Sequence, residues 1–119
     1  MPVPDPRSFL PLTPLAFEVL LALADRPRHG YGIILEVGER TDGLIRLRTG
    51  TLYVLLQRLA DQKLIDESGQ RPAADDDSRR KYYNVTPLGR AVLQAEARRL
   101  EEVVGEARRK RVLGKAGKA

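Results

Sequence analysis

Leu52, Leu55, Leu56 and Leu59 recur at i, i+3, i+4 and i+7, one apolar stripe of a helix predicted to run from Thr49 to about Gln62. Thr51, Tyr53, Val54, Gln57 and Arg58 fall away from that stripe, on a face that is hydroxylated, aromatic and basic. Thr49 is the expected N-cap. Spacing alone describes any amphipathic helix with a solvated side, so the neighbouring segments must decide its use.

Residues 1–12 carry four prolines and little periodicity, which predicts an extended arm. Thr13-Pro14 then supplies an N-cap followed by Pro at the first helical position. From Leu15 to Ala24 the only charge is Glu18, and apolar side chains go almost all round, so this first helix is expected to be buried on more than one side. Its second side, with Phe17 and Leu21, is expected to meet another subunit. Pro27 ends it. A second helix opens at His29-Gly30-Tyr31-Gly32 and closes near Thr41-Asp42-Gly43. Leu44 to Leu47 alternates in polarity and is a candidate for a brief strand. Leu64–Gly69 and Lys81–Thr86 read as two strands joined by a polar hairpin loop over 70–80. Thr86-Pro87 repeats the earlier helix start, and the last helix is expected to reach about Val112. Leu93, Ala97, Leu100, Val104 and Ala107 are spaced 4, 3, 4, 3, the a/d pattern of helix–helix pairing between subunits. Residues 114–119 read as a frayed basic tail. The expected fold class is therefore mainly α with a small β-hairpin: three short helices, a hairpin and a long C-terminal helix. That order is the winged helix-turn-helix arrangement over 13–86, with a dimerisation helix over 87–113.

Composition narrows the function. At 119 residues the chain holds one domain. It has no Cys, hence no disulfide, thiolate zinc site or cysteine nucleophile, and its single His excludes a multi-histidine metal site or a Ser-His-Asp triad. No cofactor and no metal are implied; Asp75-Asp76-Asp77 lacks the spaced ligands of a calcium loop. The apolar run over 14–24 is too short to span a bilayer, so the default is a soluble, cytoplasmic protein with no membrane partner. The net charge of +5 misleads: residues 1–89 hold 12 Lys/Arg against 12 Asp/Glu, while 90–119 hold 9 against 4. A basic tail would produce that total unaided, and only local clusters can argue for nucleic acid.

Four strings carry a family likeness: His29-Gly30-Tyr31-Gly32-Ile33, Gly50-Thr51-Leu52-Tyr53 with Leu56-Gln57-Arg58-Leu59, Leu64-Ile65, and Arg79 through Arg90. In that order and spacing they resemble the PadR family of bacterial transcriptional regulators, over roughly Leu12 to Leu100. The resemblance implies a homodimeric winged-helix repressor, its long last helix supplying much of the dimer contact. It implies an operator in double-stranded DNA, released when a small aromatic or planar effector binds. The length resembles the family's shorter branch, with one helix after the wing. Lys63 stands where the family usually has Gly, and Val54 and Gln57 stand where many members carry a basic residue.

The DNA-binding set expected on this basis is Arg46, Arg48, Thr49, Thr51, Tyr53, Gln57, Arg58, Arg79, Arg80 and Lys81. Thr49 and Thr51 can donate to phosphates or cap a helix whose dipole favours anions. Tyr53 can hold a phosphate or pack on the second helix. Gln57 can read an adenine edge or stand solvated. Arg58 can reach a phosphate or pair with Asp61. Arg46 and Arg48 supply charge near the backbone. Arg79, Arg80 and Lys81 form the sharpest basic cluster before residue 90, at the hairpin tip, where a wing meets DNA. The expected dimer interface is Phe17, Leu21, Leu93, Ala97, Leu100, Val104 and Ala107. The alternative function is a winged-helix adaptor that binds protein. An enzyme is disfavoured, because no nucleophile–base pair or phosphate-binding glycine loop is present.

Overall fold

The structure is a computed structural model that describes residues 3–69 and 80–114. Four helices and one small sheet follow in order: α1 (Pro14–Ala22), β1 (Arg28–His29), α2 (Gly30–Arg40), α3 (Thr49–Asp61), β2 (Ile65–Ser68), β3 (Tyr82–Val85) and α4 (Pro87–Arg109). The sheet has the order β1-β3-β2, antiparallel throughout, with Ile65 opposite Val85 and Arg28 opposite Tyr83. This is the expected mainly α fold with a winged helix-turn-helix. The hairpin is widened by one strand that periodicity did not reveal, since two residues between Pro27 and a helix start are too few to show alternation.

The core is aliphatic. Val19 and Leu20 of α1, Ile33 and Val37 of α2, Leu52, Leu56 and Leu59 of α3, Leu64, Ile65 and Val92 are all essentially inaccessible. Thr13 and Thr86 cap α1 and α4 as expected: their hydroxyl oxygens accept from the Ala16 and Gly89 amides at 3.2 and 2.9 Å. Arg28 and Arg90 donate to the Ala22 and Ala24 carbonyls at the end of α1 (2.7 Å each), satisfying acceptors the helix leaves over.

Four expectations change. Residues 44–47 form no strand: Ile45 and Leu47 turn inward in the expected alternation, but no strand lies alongside. The N-terminal arm is not extended. Residues Pro6–Phe9 form a 3-10 turn, capped by Asp5 and laid against α4, because Phe9, Leu10 and Leu12 find apolar surface to cover. Leu93, expected at a subunit interface, is 7% exposed and packed in this chain's own core. The a/d stripe of α4 therefore changes role along its length, covering its own core at the start and leaving it after Glu96. The last helix ends at Arg109, slightly short of the expected Val112.

Two joints set the relative placement of the elements. The first is the end of α3. Lys63 adopts φ +66°, its amide donates to the Ala60 carbonyl, and the Leu64 amide reaches back to Leu59, both at 3.0 Å. This is a Schellman closure, with Leu59 and Leu64 as its buried apolar pair. Thr86 fastens the next helix to it: its hydroxyl donates to the Lys63 carbonyl (2.6 Å) and its amide to the Leu64 carbonyl (3.0 Å). Gly89 completes the contact, since a Cβ there would overlap the Leu64 carbonyl.

The second joint is Glu96 on α4, 1% exposed. Its carboxylate accepts from the Leu12 amide at 2.8 Å and from the Arg99 guanidinium at 2.5 and 3.2 Å. The Arg99 hydrogen bonds, opposed by burial and helped by the Leu12 amide, hold the Glu96 carboxyl below the usual glutamate range.

Two stability tests follow. Lys63→Gly relieves a left-handed lysine and should stabilise the fold by about 1 kcal/mol in chemical denaturation; a loss of stability would contradict the strain argument. Glu96 has a lowered native pKa, so its contribution is complete above the ordinary glutamate pKa of about 4.3 and is lost as pH falls through the native value. Glu96→Gln should be less stable than the parent at neutral pH, and the gap should begin to narrow as pH falls below about 4.3 and close only once the native carboxyl is protonated. A gap that stays constant with pH would exclude the linkage.

Candidate nucleic-acid interface

The outward face of α3 lies beside the start of β3, and the two are separated by an open groove of about 690 Å³. Tyr53, Gln57 and Ala60 line it from α3, Gly30 and Tyr31 from the start of α2, and Glu67, Arg80, Lys81 and Tyr83 from the wing. The buried leucines of α3 hold the helix from behind, so that Tyr53, Val54, Gln57 and Arg58 stand exposed together.

The α3 N-terminus differs from what was expected. Arg48, not Thr49, is the N-cap residue, and its side chain makes no cap hydrogen bond; Thr49 is already helical. By contrast, Thr13, His29 and Thr86 each cap their helices with a side-chain acceptor. The leading amides of α3 are thus open to an external acceptor, next to the exposed Arg48 and the hydroxyls of Thr49 and Thr51.

Arg58 and Asp61 do not pair. Asp61 instead accepts a hydrogen bond from Gln57 Nε2 at 2.9 Å, and among the described residues Arg58 makes no ion pair, so its charge faces solvent one turn from Val54. Arg46 is held on the α2–α3 connection, its Nε donating to the Gly43 carbonyl at 3.1 Å. Lys81 sits across the hairpin from Glu67, with 3.4 Å between Nζ and the carboxylate. Arg80 is exposed at the groove. Arg79 and the aspartate triplet lie outside the described residues.

The tyrosines divide as strand alternation requires. Tyr82 is buried, edge-on to His29 with ring centroids 5.1 Å apart, while Tyr83 is half-buried and lines the groove. Burial, with the nearby Tyr53 phenol, raises the Tyr83 pKa, so at neutral pH it remains a protonated hydrogen-bond donor. His29 is a structural residue: its Nδ1 accepts from the Gly32 amide at 3.0 Å and caps α2. Sequence reasoning missed Gly30 and Tyr31 as parts of this surface. Their signal is the Gly-Tyr-Gly string, which marks a helix start and a family likeness but by itself assigns no DNA-facing role. A Cβ on Gly30 would lie 2.6 Å from the Tyr53 hydroxyl, so the missing side chain is what lets the phenol rest over α2.

The expected dimer residues sit elsewhere. Phe17 and Leu21 are partly exposed on α1, and Ala97, Leu100, Val104 and Ala107 lie on α4 beyond the last buried residue, Glu96.

The family model for the "Transcriptional regulator PadR-like family" matches residues 19–95, from α1 into α4. The chain belongs to this family. It is a transcriptional regulator and not an enzyme. A transcriptional regulator of Mycobacterium tuberculosis is 38% identical over 90 residues, covering 75% of this chain and 78% of its own length. A solved PadR family transcription regulator from Clostridium difficile superposes with a TM-score of 0.68 at 25% identity, over 80% of this chain and 95% of the other. Bacillus subtilis PadR, solved in complex with operator DNA, shares the fold with a TM-score of 0.58 at 21% identity, over 71% of this chain and 47% of the other.

The placement of Tyr53 is open to a direct test. Nuclear Overhauser contacts should connect the Tyr53 ring with the Gly30 α-protons, and Gly30→Ala should shift the ring resonances while the remaining core signals stay in place. Unchanged ring shifts would mean that Gly30 does not make room for the phenol.

Proposed function

We propose that this PadR-family regulator is a homodimer that binds an operator in double-stranded DNA through α3 and the wing. It acts in the cytoplasm as a repressor that a small aromatic or planar effector releases. The observation that carries the DNA reading is the concentration along α3 and the wing of a helix N-terminus without a side-chain cap, the exposed Arg48 and Arg58, the latter without an ion pair among the described residues, and the Tyr53–Tyr83 groove leading to Arg80 and Lys81. Backbone amides, phenols and guanidinium groups are the donors that phosphate oxygens accept from, and a helix flanked by a hairpin matches the docking geometry of winged helices. The operator complex of Bacillus subtilis PadR, which shares this fold, supports the same reading.

The homodimer is supported by α4. Its last thirteen residues, 97–109, continue for about 20 Å with no buried residue of the same chain, yet carry Leu100, Val103 and Val104. A helix segment that carries apolar positions and buries none of them within its own chain is stabilised by packing on another helix. Leu21, exposed on α1, is a second apolar candidate for a contact between subunits. The repressor sense and the effector rest on the family resemblance. Among the described residues, no helix is long and apolar enough to cross a membrane.

Selection of fragments from the source genome by the purified chain tests this reading. Retained fragments should share a pseudo-palindrome with half-sites about 34 Å apart or a multiple of it, and the logarithm of affinity should fall linearly with the logarithm of salt. Arg58→Ala should weaken every sequence alike and reduce that slope by about one. Retention that ignores salt and selects no common sequence would favour a protein-binding adaptor instead.

A further inference from the structure

Gln57 is the polar side chain on α3 best suited to read a base, and it is not free to turn. Its Nε2 donates to Asp61 Oδ1 at 2.9 Å across one helical turn. An ionised carboxylate only accepts, so whenever the pair is formed the amide must present its nitrogen to Asp61. The amide oxygen is then directed away from the acid, and nitrogen retains a second hydrogen. Oxygen and that remaining N–H form an acceptor–donor pair in one plane, the complement of the N6 amino group and N7 of adenine. Guanine offers two acceptors there, and thymine an acceptor and a methyl group, so neither matches the fixed amide. The same bond explains why Arg58, which could have paired with Asp61, is left without an ion pair among the described residues.

We propose that Asp61 is a positioning residue that orients Gln57 to select adenine at one position of each half-site, a proposal that rests on the DNA-binding reading above. An exposed amide free to rotate would accept or donate to either neighbour and discriminate little. Asp61 also places a negative charge at the edge of the interface, which lowers affinity for all sequences alike. That cost is offset by the gain in selectivity. Val54, 65% exposed one turn before Gln57, adds no competing hydrogen-bonding group.

The test is selection of the full chain on a randomised duplex pool, followed by competition between the selected duplex and its single-position variants. The parent should prefer adenine at one position of each half-site by about five-fold or more. Gln57→Ala should flatten that position alone. Asp61→Ala should lower the preference there by about two-fold, the scale of an i,i+4 side-chain hydrogen bond, while raising affinity for all duplexes together. Asp61→Asn, whose amide can donate as well as accept, should behave like Asp61→Ala, and Asp61→Glu, which still only accepts, should keep the preference. Both side chains are exposed, and thermal melts should confirm that every variant is folded. Equal base ratios in the parent, Asp61→Ala and Asp61→Asn would overturn the positioning role. A preference for guanine or thymine at the Gln57-dependent position would overturn the assigned orientation. A cytosine preference that survives Gln57→Ala would mean that Asp61 itself reads the base. A parent that binds every duplex equally, or none, would overturn the DNA reading on which the proposal rests.

Discussion

The contact on which the rest of the molecule depends is the junction between the end of α3 and the start of α4. Lys63 reverses the chain in a left-handed conformation, and Thr86 bonds to the carbonyls of Lys63 and Leu64 while its oxygen caps α4. Gly89 lets the two backbones meet, because the Leu64 carbonyl occupies the space a side chain would need. One threonine therefore sets the angle of α3 to α4 and anchors the return strand of the wing. Were that junction loose, the donors on α3 and those on the wing would not face one surface together. A lysine at the left-handed position is a local strain of about 1–2 kcal/mol, offset here by the buried Leu59–Leu64 pair and two chain-reversing hydrogen bonds.

The electrostatics of the surface are set by pairing more than by composition. Arg99 is held by Glu96, Lys81 faces Glu67, and Arg40 is engaged by Glu18 and Glu36. The net charge of +5 is consequently a poor guide, and Arg48 and Arg58 matter because no acid engages them among the described residues. The same economy applies to Asp61, whose hydrogen bond goes to an amide and leaves the neighbouring guanidinium available.

Much of the fold was legible because it rests on local rules. Thr13-Pro14 and Thr86-Pro87 mark helix starts by cap chemistry, and the leucine stripe of α3 is buried as its period requires. The misses share a cause, since each depends on a tertiary partner that spacing cannot reveal. β1 exists because β3 is next to it; residues 44–47 alternate correctly but have no neighbour to pair with. The arm over 3–12 folds because Glu96, 84 residues away from Leu12, meets a backbone amide. Leu93 belongs to the core because α1 lies across it, although its spacing matched the stripe further along α4. For the candidate site, the residue types on α3 were readable, but the uncapped N-terminus and the Gln57–Asp61 bond required coordinates.

In the function proposed for this chain, α3, the start of α2 and the wing form one DNA-facing surface, with α4 and the N-terminal turn turned to another purpose. Amide chemical-shift mapping during titration with a selected operator duplex measures this most directly. The largest shifts are expected at Gly30, Tyr31, residues 48–58 and residues 80–83, with residues 97–109 little changed. Shifts concentrated on 97–109 and the 3-10 turn, with α3 silent, would contradict it.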